Sequence, residues 1–190
     1  MPPKTRVTRD MIVEAAVDVA RQKGYERINA RTVSERLHCS TQPVMYHFAT
    51  IDSLKRAAYA LADRMHSAFL MRIPPGQDPI AGIGLNYIRY AVEEPQLFRF
   101  LFQSGYAGES SLTDMIHSQE LEPILSAMRE GLGMDWEKTR EVFLTVALFA
   151  HGYASIIANN ALAFDEEQIA AHLERAWNGA VLAAAQEEEP

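Results

Sequence analysis

A single cysteine, Cys39, stands in the 190 residues, so no intrachain disulfide can form and a reducing compartment is the default. Metal-ligand spacing is also missing. Six histidines are present, yet no HxxxH, HExxH or CxxC occurs, and the adjacent His38 and Cys39 have no third or fourth ligand nearby in sequence. There is no glycine-rich phosphate loop and no GxSxG elbow, and no nucleophile lies at a recognisable spacing from a base. Neither a metal, a cofactor nor an enzymatic reaction is therefore expected. No uninterrupted apolar run approaches the ~18 residues of a bilayer span. The first apolar stretch, Met11 to Ala20, is broken by Glu14 and Asp18, unlike the core of a signal peptide. The expectation is a soluble cytoplasmic protein with no membrane partner. Alternating strand patterns are absent as well, and nearly every segment has helical period, which predicts an all-α fold.

What the chain does have is segregated charge. Residues 1–73 carry twelve Lys and Arg against seven Asp and Glu, a net of +5. Residues 74–190 carry six against eighteen, a net of −12. One end suits a polyanion and the other repels it.

The basic end reads as four helices. Thr8 is placed to cap the first, Asp10 favours its positive end, Ile12, Ala16, Val19 and Ala20 form its buried stripe, and Gly24 is placed for a left-handed ending. Asn29 caps a second helix from Ala30 to about Leu37, with Val33 and Leu37 inward. Ser40 is the expected cap of a third, running to about His47, where Pro43 is tolerated because first-turn N–H groups have no intrahelical partner. The fourth begins after Thr50, carries Leu54, Ala58, Leu61 and Met65 at spacings of three and four, and ends at Ile73-Pro74-Pro75-Gly76. Beyond it, helices are expected at about 78–93, 96–104, 112–131, 136–160 and 166–185.

The second and third helices with their tight turn have the sequence form of a helix-turn-helix. In the third, Val44 and Phe48 face the core, leaving Ser40, Thr41, Gln42, Tyr46 and His47 outward. Hydroxyls and amides there can reach base edges or phosphates, and Gln42 suits adenine. Arg31 is placed for the groove wall or a guanine. Lys4, Arg6 and Arg9 form a basic arm, and Lys55 and Arg56 open the fourth helix. A helical hairpin with merely solvated charges is the plainer alternative, which would make the protein an all-α small-molecule-binding protein or enzyme.

From Gly24-Tyr25, through Arg31-Thr32-Val33-Ser34-Glu35-Arg36-Leu37 and Ser40-Thr41-Gln42-Pro43-Val44-Met45-Tyr46-His47-Phe48, to Leu54, the chain resembles the tetracycline-repressor (TetR) family of transcriptional regulators. A second likeness covers Tyr87 to Phe98 and His151-Gly152. The resemblance implies a helix-turn-helix DNA-binding domain at 1–50, a connecting helix at 51–73, and a helical-bundle ligand-binding and dimerisation domain at 74–190. It implies a homodimer, joined through the helices at about 136–160 and 166–185, that binds a palindromic double-stranded DNA operator as a repressor answering an unknown small-molecule effector. Carried over by position, Arg31, Thr41, Gln42 and Pro43 lie at or near base edges, and Tyr46, His47 and Lys55 near phosphates. Three positions depart from the family pattern: His38 replaces the usual turn Gly, Met45 a phosphate-contacting Tyr, and Ile51 a Lys.

Large apolar side chains fill the acidic part, among them Tyr87, Tyr90, Phe98, Phe100, Phe102, Met115, Met128 and Phe143. Core packing is the simpler reading of any one of them. As a set they also describe a pocket wall, for which Tyr87, Phe98, Phe102, Met128 and His151 are the candidate effector contacts. The acidic balance favours a cationic or neutral lipophilic effector over an anionic one.

Overall fold

A computed structural model of the chain describes residues 7–106, 116–117 and 119–186. Lys4, Arg6, Met115 and most of the segment expected as helix between 112 and 118 lie outside the described residues. Among the described residues every regular element is helical: α1 Arg9–Lys23, α2 Ala30–Arg36, α3 Gln42–His47, α4 Ile51–Leu70, α5 Pro79–Glu93, α6 Pro95–Gln103, α7 Glu122–Leu132, α8 Trp136–Asn160 and α9 Glu166–Gln186, with short 3-10 turns at Tyr25–Arg27 and Gln119–Leu121. Two compact units emerge, one of Met1–Ala68 with Glu94–Ala107 and one of Phe69–Glu93 with Gly108–Pro190.

In the first unit the helix ends follow local chemistry. Thr8 Oγ1 accepts the Met11 N–H at 3.3 Å, and Ile12, Ala16 and Ala20 line the fully buried face of α1. Gly24 ends α1 at φ 89° and ψ 150°, a positive-φ extended geometry in place of the left-handed helical one expected. A Cβ there would sit 2.8 Å from Glu26 Oε2. Asn29 Oδ1 accepts from the N–H groups of Arg31 and Thr32, each at 3.0 Å, while Thr32 Oγ1 accepts from Asn29 N–H at 3.2 Å, a reciprocal box that starts α2. Val33 is fully buried, whereas Leu37 is only half-buried.

His38 takes φ 52° in the turn, a conformation that His accepts more readily than most side chains. Ser40 does not cap α3. The helix starts at Gln42, and Thr41 before it is already helical (φ −70°, ψ −16°) and makes no side-chain cap bond. A capping hydroxyl needs an extended backbone to reach the next amides, and Thr41, which holds the N-cap position, does not supply it. Pro43 sits in the first turn, as expected. On α4 the buried stripe runs through Leu54, Ala58, Ala62 and His66; Leu61 and Met65 are half-buried at its margin.

Helix α6 belongs to this same unit, packed on α1. Arg21 Nε donates to both Glu94 oxygens at 2.9 and 3.0 Å, Tyr59 OH donates to Leu101 O at 3.2 Å, and the Tyr25 and Phe100 rings stack at 5.2 Å.

In the second unit α5, α8 and α9 pack against one another and α7 lies on α8. Asn86, almost fully buried, donates through Nδ2 to Leu70 O and Arg72 O at 3.0 and 3.1 Å, answering carbonyls that the end of α4 leaves open. Within the span expected as one helix over 112–131, Ile116 is helical, a turn follows at His117, and a separate α-helix opens at Glu122. Pro123 has no N–H to give and restricts the residue before it, so Gln119–Leu121 forms a 3-10 turn and the α-helix opens on the proline. Gly133 (φ 65°, ψ 24°) closes α7, and Asp135 caps α8 by accepting from Lys138 N–H at 2.9 Å.

Helix α8 keeps one face in the core of the second unit through Val142, Ala150, Ala154 and Ile157. Its length and a mean hydropathy of 1.5 over 18 residues would suffice for a bilayer span, a property that the uninterrupted-run criterion passed over. Only 28% of that window is buried.

Candidate nucleic-acid interface

Burial of Val44 and Phe48 fixes the rotation of α3. Val44 is fully buried and Phe48 is 4% exposed, so Thr41, Gln42, Met45 and Tyr46 are turned out of the unit. Tyr46 is 80% exposed, its ring edge-on to the His47 ring at 5.2 Å. Pro43 is half-buried. Arg31, at the start of α2, has an exposed side chain whose Nε donates to Glu35 Oε1 at 2.9 Å. That exposed (i, i+4) pair is weak and orients the guanidinium without committing it.

His47 departs from its expected surroundings. It is half-buried, and its Nε2 lies 3.3 Å from the Val7 carbonyl, which can only accept; Nε2 therefore carries the proton, and the residue ties the entry of α1 to α3. Lys55 is half-buried too, with Nζ 5.8 Å above the Tyr25 ring. Beside it lies a group that sequence reasoning missed: Asp52 accepts from Arg56 Nε at 2.9 Å and from Tyr106 OH at 3.2 Å. The Arg56 hydrogen bond holds the Asp52 carboxyl below its ordinary pKa. The (i, i+4) spacing of Asp52 and Arg56 was a signal available in the sequence; the arrival of Tyr106 was not.

The effector candidates divide. Tyr87 OH and His151 Nδ1 meet at 2.8 Å, and Ser155 Oγ lies 3.2 Å from the other imidazole nitrogen. Burial raises the Tyr87 pKa and lowers that of His151, so both are neutral. Ser155 was not foreseen, although it lies one helical turn from His151. Met128, 3% exposed, packs instead with Val142, Ala180 and Ala184 in a separate apolar core. Phe98 is fully buried and Phe102 is 37% exposed, their rings 4.8 Å apart within the first unit. Hollows in the described part of the second unit include two of note. One of about 310 Å³ has Leu125, Trp136 and Arg140 in its walls, and one of about 520 Å³ has Phe149, Tyr153, His172 and Arg175. None of the five candidates lines either one. Among the described residues no group of three or more His, Cys, Asp or Glu side chains is placed to hold a metal.

Short helices in the first unit and long helices in the second give an all-α chain with a helix-turn-helix near its start. The family model "Tetracyclin repressor-like, C-terminal domain" matches residues 80–178, more than half of the chain. The chain belongs to the TetR family. Comparison with curated proteins finds no match. Solved structures share the fold. A TetR-family member from Streptomyces coelicolor A3 has 21% identity and TM-score 0.59 over 88% of this chain and 96% of that one. A TetR-like transcriptional regulator from Rhodococcus sp. RHA1 has 15% identity and TM-score 0.64 over 94% and 99%. The multidrug binding protein EbrR, complexed with imidazole, has 21% identity and TM-score 0.55 over 88% of each chain.

Proposed function

We propose that this regulator is a cytoplasmic homodimeric repressor that reads a palindromic operator with α3 and is released by a small molecule. The observation that carries the reading is the outward face of α3, Thr41, Gln42, Met45 and Tyr46, held out of the core by Val44 and Phe48 within a segment, residues 1–73, of net charge +5. Residues 1–50 act as the DNA-binding domain, with α4 as connector and 74–190 as the ligand and dimer domain. Arg31, Thr41, Gln42 and Pro43 serve as base-edge contacts; Tyr46 and Lys55 serve as phosphate contacts. His47 serves chiefly to brace the arm that enters α1.

Dimerisation is supported by what α8 and α9 leave uncovered. Leu148, Phe149, Ile156 and Leu182 are 44%, 37%, 53% and 59% exposed on helices whose other faces are core. Large apolar side chains left exposed on two long helices call for a partner, and a second copy supplies the twofold axis that places two recognition helices about 34–36 Å apart. The uncovered face of α8 is thus assigned to protein contact, in keeping with a soluble regulator.

The effector is assigned to the Tyr87–His151–Ser155 chain of neutral hydrogen-bonding groups, which suits a neutral or cationic lipophilic molecule. EbrR is a multidrug binding protein in its own right, and its fold is shared. Such a ligand acts by binding more tightly to the state whose recognition helices no longer match the groove spacing. Selection of bound sequences from a random duplex pool tests the central claim. A palindromic consensus whose affinity falls linearly with log salt is the expected result. Failure to enrich any sequence overturns it.

A further inference from the structure

Helix α3, Gln42-Pro43-Val44-Met45-Tyr46-His47, contains no Lys and no Arg. The commonest specific contact in the major groove, a guanidinium or ammonium on guanine O6 and N7, is therefore closed to it. What the helix turns outward is an amide at Gln42, a hydroxyl at Thr41, and two large apolar side chains, Met45 at 47% and Tyr46 at 80% exposure. Met45 follows Gln42 by three residues and Thr41 by four, so the thioether shares their face and stands one turn further along the helix. An unbranched thioether adapts to irregular apolar surfaces. In the major groove there is one apolar group for it to meet, the thymine C5-methyl.

We propose that Met45 is a specificity-determining residue that packs on a thymine methyl in each half-site, next to a base pair whose adenine Gln42 reads. The proposal rests on the DNA-binding reading above. It makes the half-site core A·T-containing, with guanine recognition left to Arg31 on α2. It also gives Met45 a role of its own: the residue reads a base by its methyl group.

The test uses the full-length protein and its selected consensus duplex. Thymines are replaced one at a time, symmetrically in both half-sites, by deoxyuridine, which keeps every hydrogen-bonding group and removes only the methyl. One position should weaken wild-type binding about fourfold per half-site, the effect expected for one buried methyl. Met45→Ala should bind the thymine and uracil duplexes equally, and Met45→Leu should restore the preference. Uracil tolerance at every position overturns the proposal while leaving DNA binding intact, as does a thymine preference unchanged in Met45→Ala. Absence of any sequence-specific binding removes both readings together.

Discussion

Helix α3 has six residues and α8 has twenty-five, and each leaves one face out of the protomer core. The faces differ in chemistry. That of α3 is amide, hydroxyl, thioether and phenol, held out by two buried anchors, Val44 and Phe48. That of α8 is aliphatic and aromatic, with Leu148, Phe149 and Ile156 exposed, and Leu182 is exposed on α9. Polar groups in the open remain solvated until base edges and phosphates replace their water, whereas an open aliphatic face is driven toward association by the release of its own hydration. On the proposed function, the same fold principle, one face inward and one outward, would serve recognition at one end of the chain and assembly at the other.

That contrast can be broken most forcefully at the assembly face. The double variant Ile156→Asp, Leu182→Asp should sediment as a monomer and lose about 10²-fold or more in operator affinity, since two linked half-site contacts become one. A dimer that persists would place the interface elsewhere. The next effect concerns stability. His66 is buried on α4, edge-on to Phe102 at 5.3 Å, and burial lowers its pKa to about 4 from an unfolded value of 6.5. The folded state therefore keeps His66 neutral while the unfolded chain takes up a proton. Stability is full above pH 6.5 and declines toward pH 4, by up to about 3 kcal/mol from this residue. Denaturant melts at pH 7.5 and 4.5 should show a drop that His66→Phe diminishes.

At the recognition end, Arg31→Ala or Gln42→Ala should cost about 1–3 kcal/mol at one base-pair position and relax preference there. Lys55→Ala should weaken all duplexes alike and flatten the salt slope. Binding titrations on the consensus and on scrambled DNA separate the two classes, and equal behaviour would dissolve the distinction between readers and anchors. Smallest is Asn29→Ala, which removes the box that opens α2 and should destabilise by about 1 kcal/mol in a thermal or denaturant melt.

The sequence was informative wherever structure is decided locally. Thr8 and Asn29 announce their caps by residue type, His38 stands at a turn that demands positive φ, and the apolar period from Trp136 to Asn160 marks α8 to the residue. It was silent where partners come from afar. Nothing near Glu94 in the chain foretells Arg21, and nothing near His47 foretells the carbonyl of Val7, forty residues away. Ser40 misled because its residue type suits a cap while the helix begins one residue later than its position requires, with Thr41 at the N-cap. Among the effector candidates, Tyr87 and His151 came together because α5 packs on α8, and Met128 joined a dry core by the same kind of distant packing. Aromatic and Met content alone cannot tell those outcomes apart.

The line from Tyr87 through His151 to Ser155 has a direction. If the phenol gives its hydrogen to Nδ1, Nε2 must carry one and give it to the serine; if the serine gives to Nε2, every arrow reverses. A donor or acceptor brought to either hydroxyl would therefore set which side of the ring is protonated, and α5 and α8 would exchange the direction of their hydrogen bond without any atom heavier than hydrogen having to travel.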